Sequence, residues 1–241
     1  MTEGWSDLLL AIGVIFLGGT LQGTLGFGLA LIAAPVLVFL NDDWVPGPLL
    51  LAGWPFMALL VWRERTNLDL RASAAPWIGL TVGVALGVVL LLFVDAKWVS
   101  ILVASIILGA VLLSLFGWSL PLNLWTRLFG GTLAGFTGAT SSVPGPALAL
   151  LHQNASPQQM RAALAPFFLL GSTLALVGLI VSGQMNRVDF EVGLWLMPPA
   201  LLGFVVSGYT AAYVRSSVVR PAVLVFAAVA ALGLLVRSLV R

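Results

Sequence analysis

Eight stretches of this sequence run for 16 to 33 residues without one charged side chain: roughly 8–40, 44–62, 72–94, 98–116, 128–151, 162–181, 192–214 and 221–236. The 11 basic and 9 acidic residues all fall between these stretches or at the termini. Charged residues make up 8% of the chain, against about 25% in a soluble domain. So little charge cannot clothe a water-facing surface, and about 20 apolar residues suffice to cross a bilayer core. The expected fold is an all-α polytopic membrane protein of about eight apolar segments. Seven of the nine tryptophans (Trp5, Trp44, Trp62, Trp77, Trp98, Trp118, Trp125) lie near segment ends, as in interfacial aromatic belts.

The same composition excludes several functions. The formal net charge is only +2 and no basic run is present, so no nucleic-acid partner is expected. The absence of cysteine removes disulfides, thiol chemistry and thiolate metal sites. His152 is the lone histidine, too little for a metal centre or a nucleophile–base pair. No metal, cofactor or catalytic residue is expected, and the chain reads as a non-enzyme. No carboxylate lies inside a segment as drawn, unlike in cation carriers and proton pumps. The N-terminal "MTEGWSD" is acidic and its apolar run is far longer than a signal-peptide core.

The first segment is too long for one helix. Residues 8–40 would reach about 50 Å at 1.5 Å per residue, against a core of about 30 Å. It also holds six glycines before Pro35. A break or a re-entrant turn is expected there. The phrase "GGTLQGTLG" (18–26) returns as "GGTLAGFTG" (130–138), six of nine letters in place. The second copy runs into "ATSSVPGPA", where Pro144 and Pro146 remove backbone donors. "NLDLR" (67–71) is echoed by "RVDFE" (187–191), and Gly83 and Gly87 by Gly203 and Ser207. The chain therefore reads as two homologous halves, 1–118 and 119–241, each opening on a broken or re-entrant segment, as in many transporters.

Orientation stays open on charge counts. If all eight segments cross, Arg63, Arg65, Arg71, Arg127, Arg187, Arg237 and Arg241 lie inside, against Lys97, Arg161, Arg215 and Arg220 outside. If segments one and five enter and return, the inside set becomes Arg63, Arg65, Arg71, Arg127, Arg161, Arg215 and Arg220. Both divide 7 against 4. The second arrangement makes the halves inverted copies.

The two phrases, the duplication and the "G-xxx-G-xxx-G" of segment three (Gly79, Gly83, Gly87) resemble the TauE/SafE sulfite exporter family over nearly the whole chain. The resemblance implies a plasma (inner) membrane transporter of a bacterium that moves sulfite, organosulfonates and related small anions, often outward. The second phrase departs from the first by continuing "ATSSVPGP", so the halves would bring different chemistry to a shared site.

An anion site needs no buried cation. Broken helices leave N–H groups free at a positive dipole end, glycine admits close approach, and hydroxyls and amides donate. The expected substrate-binding set is Thr20, Gln22, Gly23, Thr24 and Gly26 from the first phrase. From the second come Thr132, Gly135, Thr137, Gly138, Thr140, Ser141 and Ser142. Arg127, His152 and Arg161 are vestibule candidates. The competing structural role is helix packing for the glycines, bonding to the preceding turn for the hydroxyls, and interfacial anchoring for the three cations. The expected mechanism is alternating access around a site where the phrases meet. The partners are a small anion, the bilayer and, as an open option, a second copy of the chain. A carrier of other small organic anions such as carboxylates, or a non-transporting scaffold, remains the alternative.

Overall fold

In the computed structural model, residues 3–68, 74–115, 123–144 and 156–211 are described, with scattered helical positions between 225 and 239. Every long element among them is helical: α1 Glu3–Leu25, α2 Leu29–Leu40, α3 Gly47–Glu64, α4 Ala74–Leu91, α5 Ala96–Leu115, α6 Leu124–Ser141, α7 Pro157–Val181 and α8 Arg187–Thr210, plus a 3-10 turn at Asp42–Trp44. Among the described residues, four spans are long and apolar enough to cross a membrane: Ser6–Leu25, Asp42–Glu64, Pro157–Val181 and Arg187–Thr210. Leu29–Leu40 and Ala75–Leu91 are shorter apolar helices. Large apolar side chains such as Phe93, Val181, Trp125 and Trp195 are exposed. A patch of that kind on a soluble monomer would aggregate; here it faces lipid.

The expected break in residues 8–40 falls at Gly26–Gly28. Gly26 (φ 96°) and Gly28 (φ 137°) take backbone conformations that side chains disfavour. The chain turns back so tightly that the Leu29 backbone rests on Gly18. Gly18 lies seven residues before Leu25, so α2 begins about 10 Å inside the end of α1. Its 12 residues span about 18 Å, roughly half the hydrocarbon core.

The protein has two distinct ends. At one, the last turn of α1, the last turn of α3, the second turn of α7 and Ser207 near the end of α8 meet through Arg63 and Arg161. At the other, Asp42, Asp43 and Asp189 line a polar pocket of about 280 Å³ with the start of α3 and the α4–α5 and α7–α8 connections. These are the arginine end and the aspartate end below.

Glycines set which helices touch. A Cβ at Gly19 would stand 3.0 Å from the Ala200 carbonyl oxygen, and one at Gly203 2.6 Å from that of Phe16. Gly23 faces Ser207 in the same way. Residue numbers rise together along this contact, so α1 and α8 run parallel. Gly79, Gly83 and Gly87 of α4 likewise press on Leu128, Thr132 and Phe136 of α6, while Gly131 and Gly135 press on Pro76 and Leu80. That pair is also parallel. Small residues allow this backbone approach, and dispersion across it holds membrane helices together.

Five helices begin before the uncharged stretches drawn from sequence, α1 at Glu3 and α5 at Ala96 among them, and one ends after. Capping boxes at Asn123–Thr126, Ser156–Gln159 and Asn186–Asp189 start α6, α7 and α8 upstream of their apolar runs. Arg127, Arg161 and Asp189 thus sit in first or second helical turns, and Glu64 ends α3. The expectation that every charge lies between segments is corrected for these residues. The tryptophan belt is corrected in part: Trp62, Trp98 and Trp125 are exposed near helix ends, whereas Trp44 and Trp77 pack against the core. Trp5 and Trp118 lie outside the described side chains.

The α4–α6 contact gives a test. Gly83→Ala puts a Cβ into the Thr132 carbonyl, and overpacking of this kind costs about 1–3 kcal/mol. Gly109→Ala meets nothing within 4 Å. Thermal melts in detergent should show the first substitution lowering the transition and the second leaving it unchanged or higher. Equal effects would refute the packing argument.

Candidate functional site

The break in the first phrase opens onto a cavity. About 70 Å³ of space lies between the start of α2 and helices α3, α4, α6 and α7. That volume holds several waters, each needing roughly 10–15 Å³ by this measure. Its polar side chains are Gln22, Ser142 and Ser172; Gly28–Leu31 also line it, and its walls include Phe27, Leu49, Met57, Leu80, Val84, Phe167 and Phe168. None of the lining residues among those described is charged.

The helix start supplies the donors. The first intrahelical bond of α2 is Ile32 N–H to the Gly28 carbonyl, 3.0 Å. The N–H groups of Leu29, Ala30 and Leu31 precede it and have no partner one turn back. Leu29 donates to Gln22 Oε1 at 2.8 Å, so a side chain from α1 caps α2. Ala30 and Leu31 lie on the cavity wall. Gln22 is 4% exposed, and its Nε2 donates to Met57 Sδ at 3.5 Å, a weak acceptor. The Gln22 amide and the first turn of α2 thus border one cavity at the positive end of a helix, inside apolar walls that strengthen any electrostatic attraction.

Among the expected binding residues, Gln22, Gly135, Gly138 and Ser142 reach this cavity, which brings the two phrases together. Ser142 takes a left-handed conformation (φ 60°) at the end of α6, and its hydroxyl donates to the Pro46 carbonyl at 3.1 Å. The other hydroxyls are occupied on their own helices. Thr20 donates to Phe16 O, Thr24 to Thr20 O and Thr132 to Leu128 O. Thr137 donates to Ala134 O, Thr140 to Phe136 O and Ser141 to Thr137 O. This back-bonding to the preceding turn satisfies a hydroxyl in an apolar setting. Gly23 packs on Ser207 and Gly26 makes the turn. Sequence reading missed Phe27, Met57, Phe167 and Phe168, whose apolar character gave no polar signal.

A second polar cluster lies behind the break, at the arginine end. Arg161 Nε stands 2.7 Å and Arg63 Nε 3.6 Å from Glu64 Oε1. Arg161 also donates to the Thr24 carbonyl at 2.7 Å. Arg63 donates to the Gly23 carbonyl and to Ser207 Oγ, and its guanidinium lies 4.8 Å from the centre of the Phe204 ring. The guanidiniums therefore cap the negative C-terminal end of α1. Glu64 is 4% exposed. Arg161 is thus held in an internal ion pair; Arg127 lies in the first turn of α6, and His152 lies outside the described residues.

The model of the family described as sulfite exporter TauE/SafE matches residues 11–236 of the 241. No curated protein and no solved structure matches the chain.

The ion pairs at the two ends should differ in worth. Arg161→Met strips a buried carboxylate of its nearest partner, a change of about 3–5 kcal/mol, tempered by Arg63 at 3.6 Å. The Arg187–Glu191 pair is largely solvent-exposed and contributes about 0–1 kcal/mol. Melting in detergent should drop sharply for Arg161→Met and hardly move for Arg187→Met; matched transitions would contradict the buried assignment.

Proposed function

Because this chain belongs to the sulfite exporter TauE/SafE family, an integral membrane transporter family, we propose that it carries sulfite or organosulfonates outward through a site at the start of α2. The observation that carries this reading is that Gln22, which caps the start of α2, lines one cavity together with Ala30 and Leu31, whose N–H groups precede the first intrahelical bond. These donors match the acceptor oxygens of a sulfur oxyanion. The apolar walls suit the carbon end of an organosulfonate.

The helix directions support the division into halves 1–118 and 119–241 as inverted copies. α1 runs towards the arginine end and α6 away from it; α4 and α8 oppose each other likewise. Gln22 and Ser142, one from each phrase, face one cavity. In an inverted-repeat carrier the site lies between the repeats, and rocking of one against the other exposes it to each side in turn. Arg63, Arg65, Arg127 and Arg161 gather at one end and Lys97 and Arg187 at the other. We place the arginine end in the cytoplasm.

Thermal-shift titration of the purified protein tests the site. The panel is sulfite, thiosulfate, sulfoacetate, taurine, sulfate and acetate. A ligand at a hundredfold excess over Kd stabilises the native state by about 2.7 kcal/mol. Shifts confined to sulfur anions are expected. Gln22→Leu should abolish them and cut transport in vesicles. Ala30→Pro removes one donor at a helix start that tolerates proline. Loss of a charge-assisted hydrogen bond of about 1.5–3 kcal/mol corresponds to weakening of roughly tenfold to a hundredfold. An equal shift with acetate would broaden the cargo to small organic anions. Undiminished transport by both variants would move the site elsewhere.

A further inference from the structure

Two guanidiniums converge on one carboxylate oxygen at the arginine end, at 2.7 Å from Arg161 and 3.6 Å from Arg63. Glu64 is almost wholly buried there. Both arginines are also held by groups other than Glu64: the Thr24 carbonyl holds Arg161, and the Gly23 carbonyl and Ser207 Oγ hold Arg63. Their guanidiniums would stay in place if the carboxylate swung away. Two part-buried guanidiniums, 24% and 13% exposed, repel each other without an anion between them, so departure of the carboxylate favours entry of another anion in its place. The site also adjoins the cavity wall. The carbonyls that hold the arginines belong to the last turn of α1, and the next residues, Gly26–Gly28, form the break on which the cavity opens. A Cβ at Gly26 would stand 3.0 Å from the backbone nitrogen of Arg161.

We infer that Arg63 and Arg161 form a second anion site at the cytoplasmic mouth, which takes a small sulfur oxyanion and in which the Glu64 carboxylate stands as a tethered substitute until that anion displaces it. The inference rests on the reading of the chain as an anion carrier. A singly charged sulfonate or hydrogen sulfite replacing the carboxylate leaves the local charge unchanged. The exchange brings no new charge into the membrane, and the mouth is never left with two bare cations. Glu64 belongs to α3, which also lines the cavity through Leu49, Gly53 and Met57, so its displacement acts on an element shared by both sites.

Sulfite titration of the full-length protein, with gluconate controlling ionic strength, tests the inference. A tethered competitor lowers apparent affinity by the fraction of time the site is vacant, so Glu64→Gln tightens sulfite binding about tenfold for a site vacant one tenth of the time. Glu64→Asp keeps the charge but shortens the reach, and should tighten binding in the same direction by less. Adding Arg161→Gln to Glu64→Gln should erase the gain. If Glu64→Gln does not fold, Glu64→Asp decides alone. Sulfite binding no tighter than wild type in the Glu64 variants that fold overturns the inference. The Ala30→Pro variant separates this outcome from failure of the cavity reading. A gain at Glu64 with no effect of Ala30→Pro keeps the arginine site and removes the cavity. Weakening by Ala30→Pro with no gain at Glu64 does the reverse.

Discussion

A helix that begins inside a bilayer has N–H groups that lipid cannot satisfy. α2 begins about 10 Å inside the end of α1, and the hydrogen bond from Leu29 N–H to Gln22 Oε1 meets the first of these demands from the neighbouring helix. The next two donors belong to Ala30 and Leu31, which line the cavity. Without the Gln22 amide the break would carry another unpaired donor, and each buried unpaired polar group costs about 1–3 kcal/mol. The two positive-φ glycines at the turn, the backbone contact at Gly18 and the position of the cavity all depend on this arrangement.

Around the break, rigidity comes from backbone-to-backbone contact rather than from large side chains. Gly19, Gly23 and Gly203 seat α1 on α8, and Gly79, Gly83, Gly131 and Gly135 seat α4 on α6. These close pairs fix the helices that flank the cavity, since Gln22 rides on α1 and Gly135, Gly138 and Ser142 on α6 or just past its end. α7 completes the wall with Phe167, Phe168 and Gly171. The aspartate-lined pocket at the opposite end meets this region at Pro46, whose carbonyl accepts from Ser142.

Membrane class was legible in the chain because lipid forbids charge over long stretches. The break in residues 8–40 was legible because length and glycine content left one helix no room. Gln22 stood out as an amide in an apolar run. The hydroxyls were harder: a Thr or Ser that folds back on its own turn and one that faces a cavity share the same spacing, and only Ser142 of the group lines the cavity. Glu64 escaped notice because charge counting assigns "RER" to a loop, whereas α3 continues to Glu64 and buries it. The capping boxes at Asn123, Ser156 and Asn186 start α6, α7 and α8 upstream of their apolar stretches, because polar caps extend a helix beyond the part that apolar composition marks. Small-residue stripes showed that helices pack closely, but a stripe does not name its partner.

The pairing of α1 with α8 has a consequence for synthesis. α1 is made well before α8, and its glycine face at Gly19 and Gly23 fits against Ala200 and Ser207. At about 5–20 residues per second, roughly 10–40 s pass before those partners leave the ribosome. Through that interval the groove lies open to lipid or to other nascent helices. α4, with its own glycines, follows soon after and waits for α6 in turn. The mature contact between the earlier-made α1 and the later-made α8 therefore closes only once α8 has emerged, so a chain truncated before α8 leaves α1 without its seat.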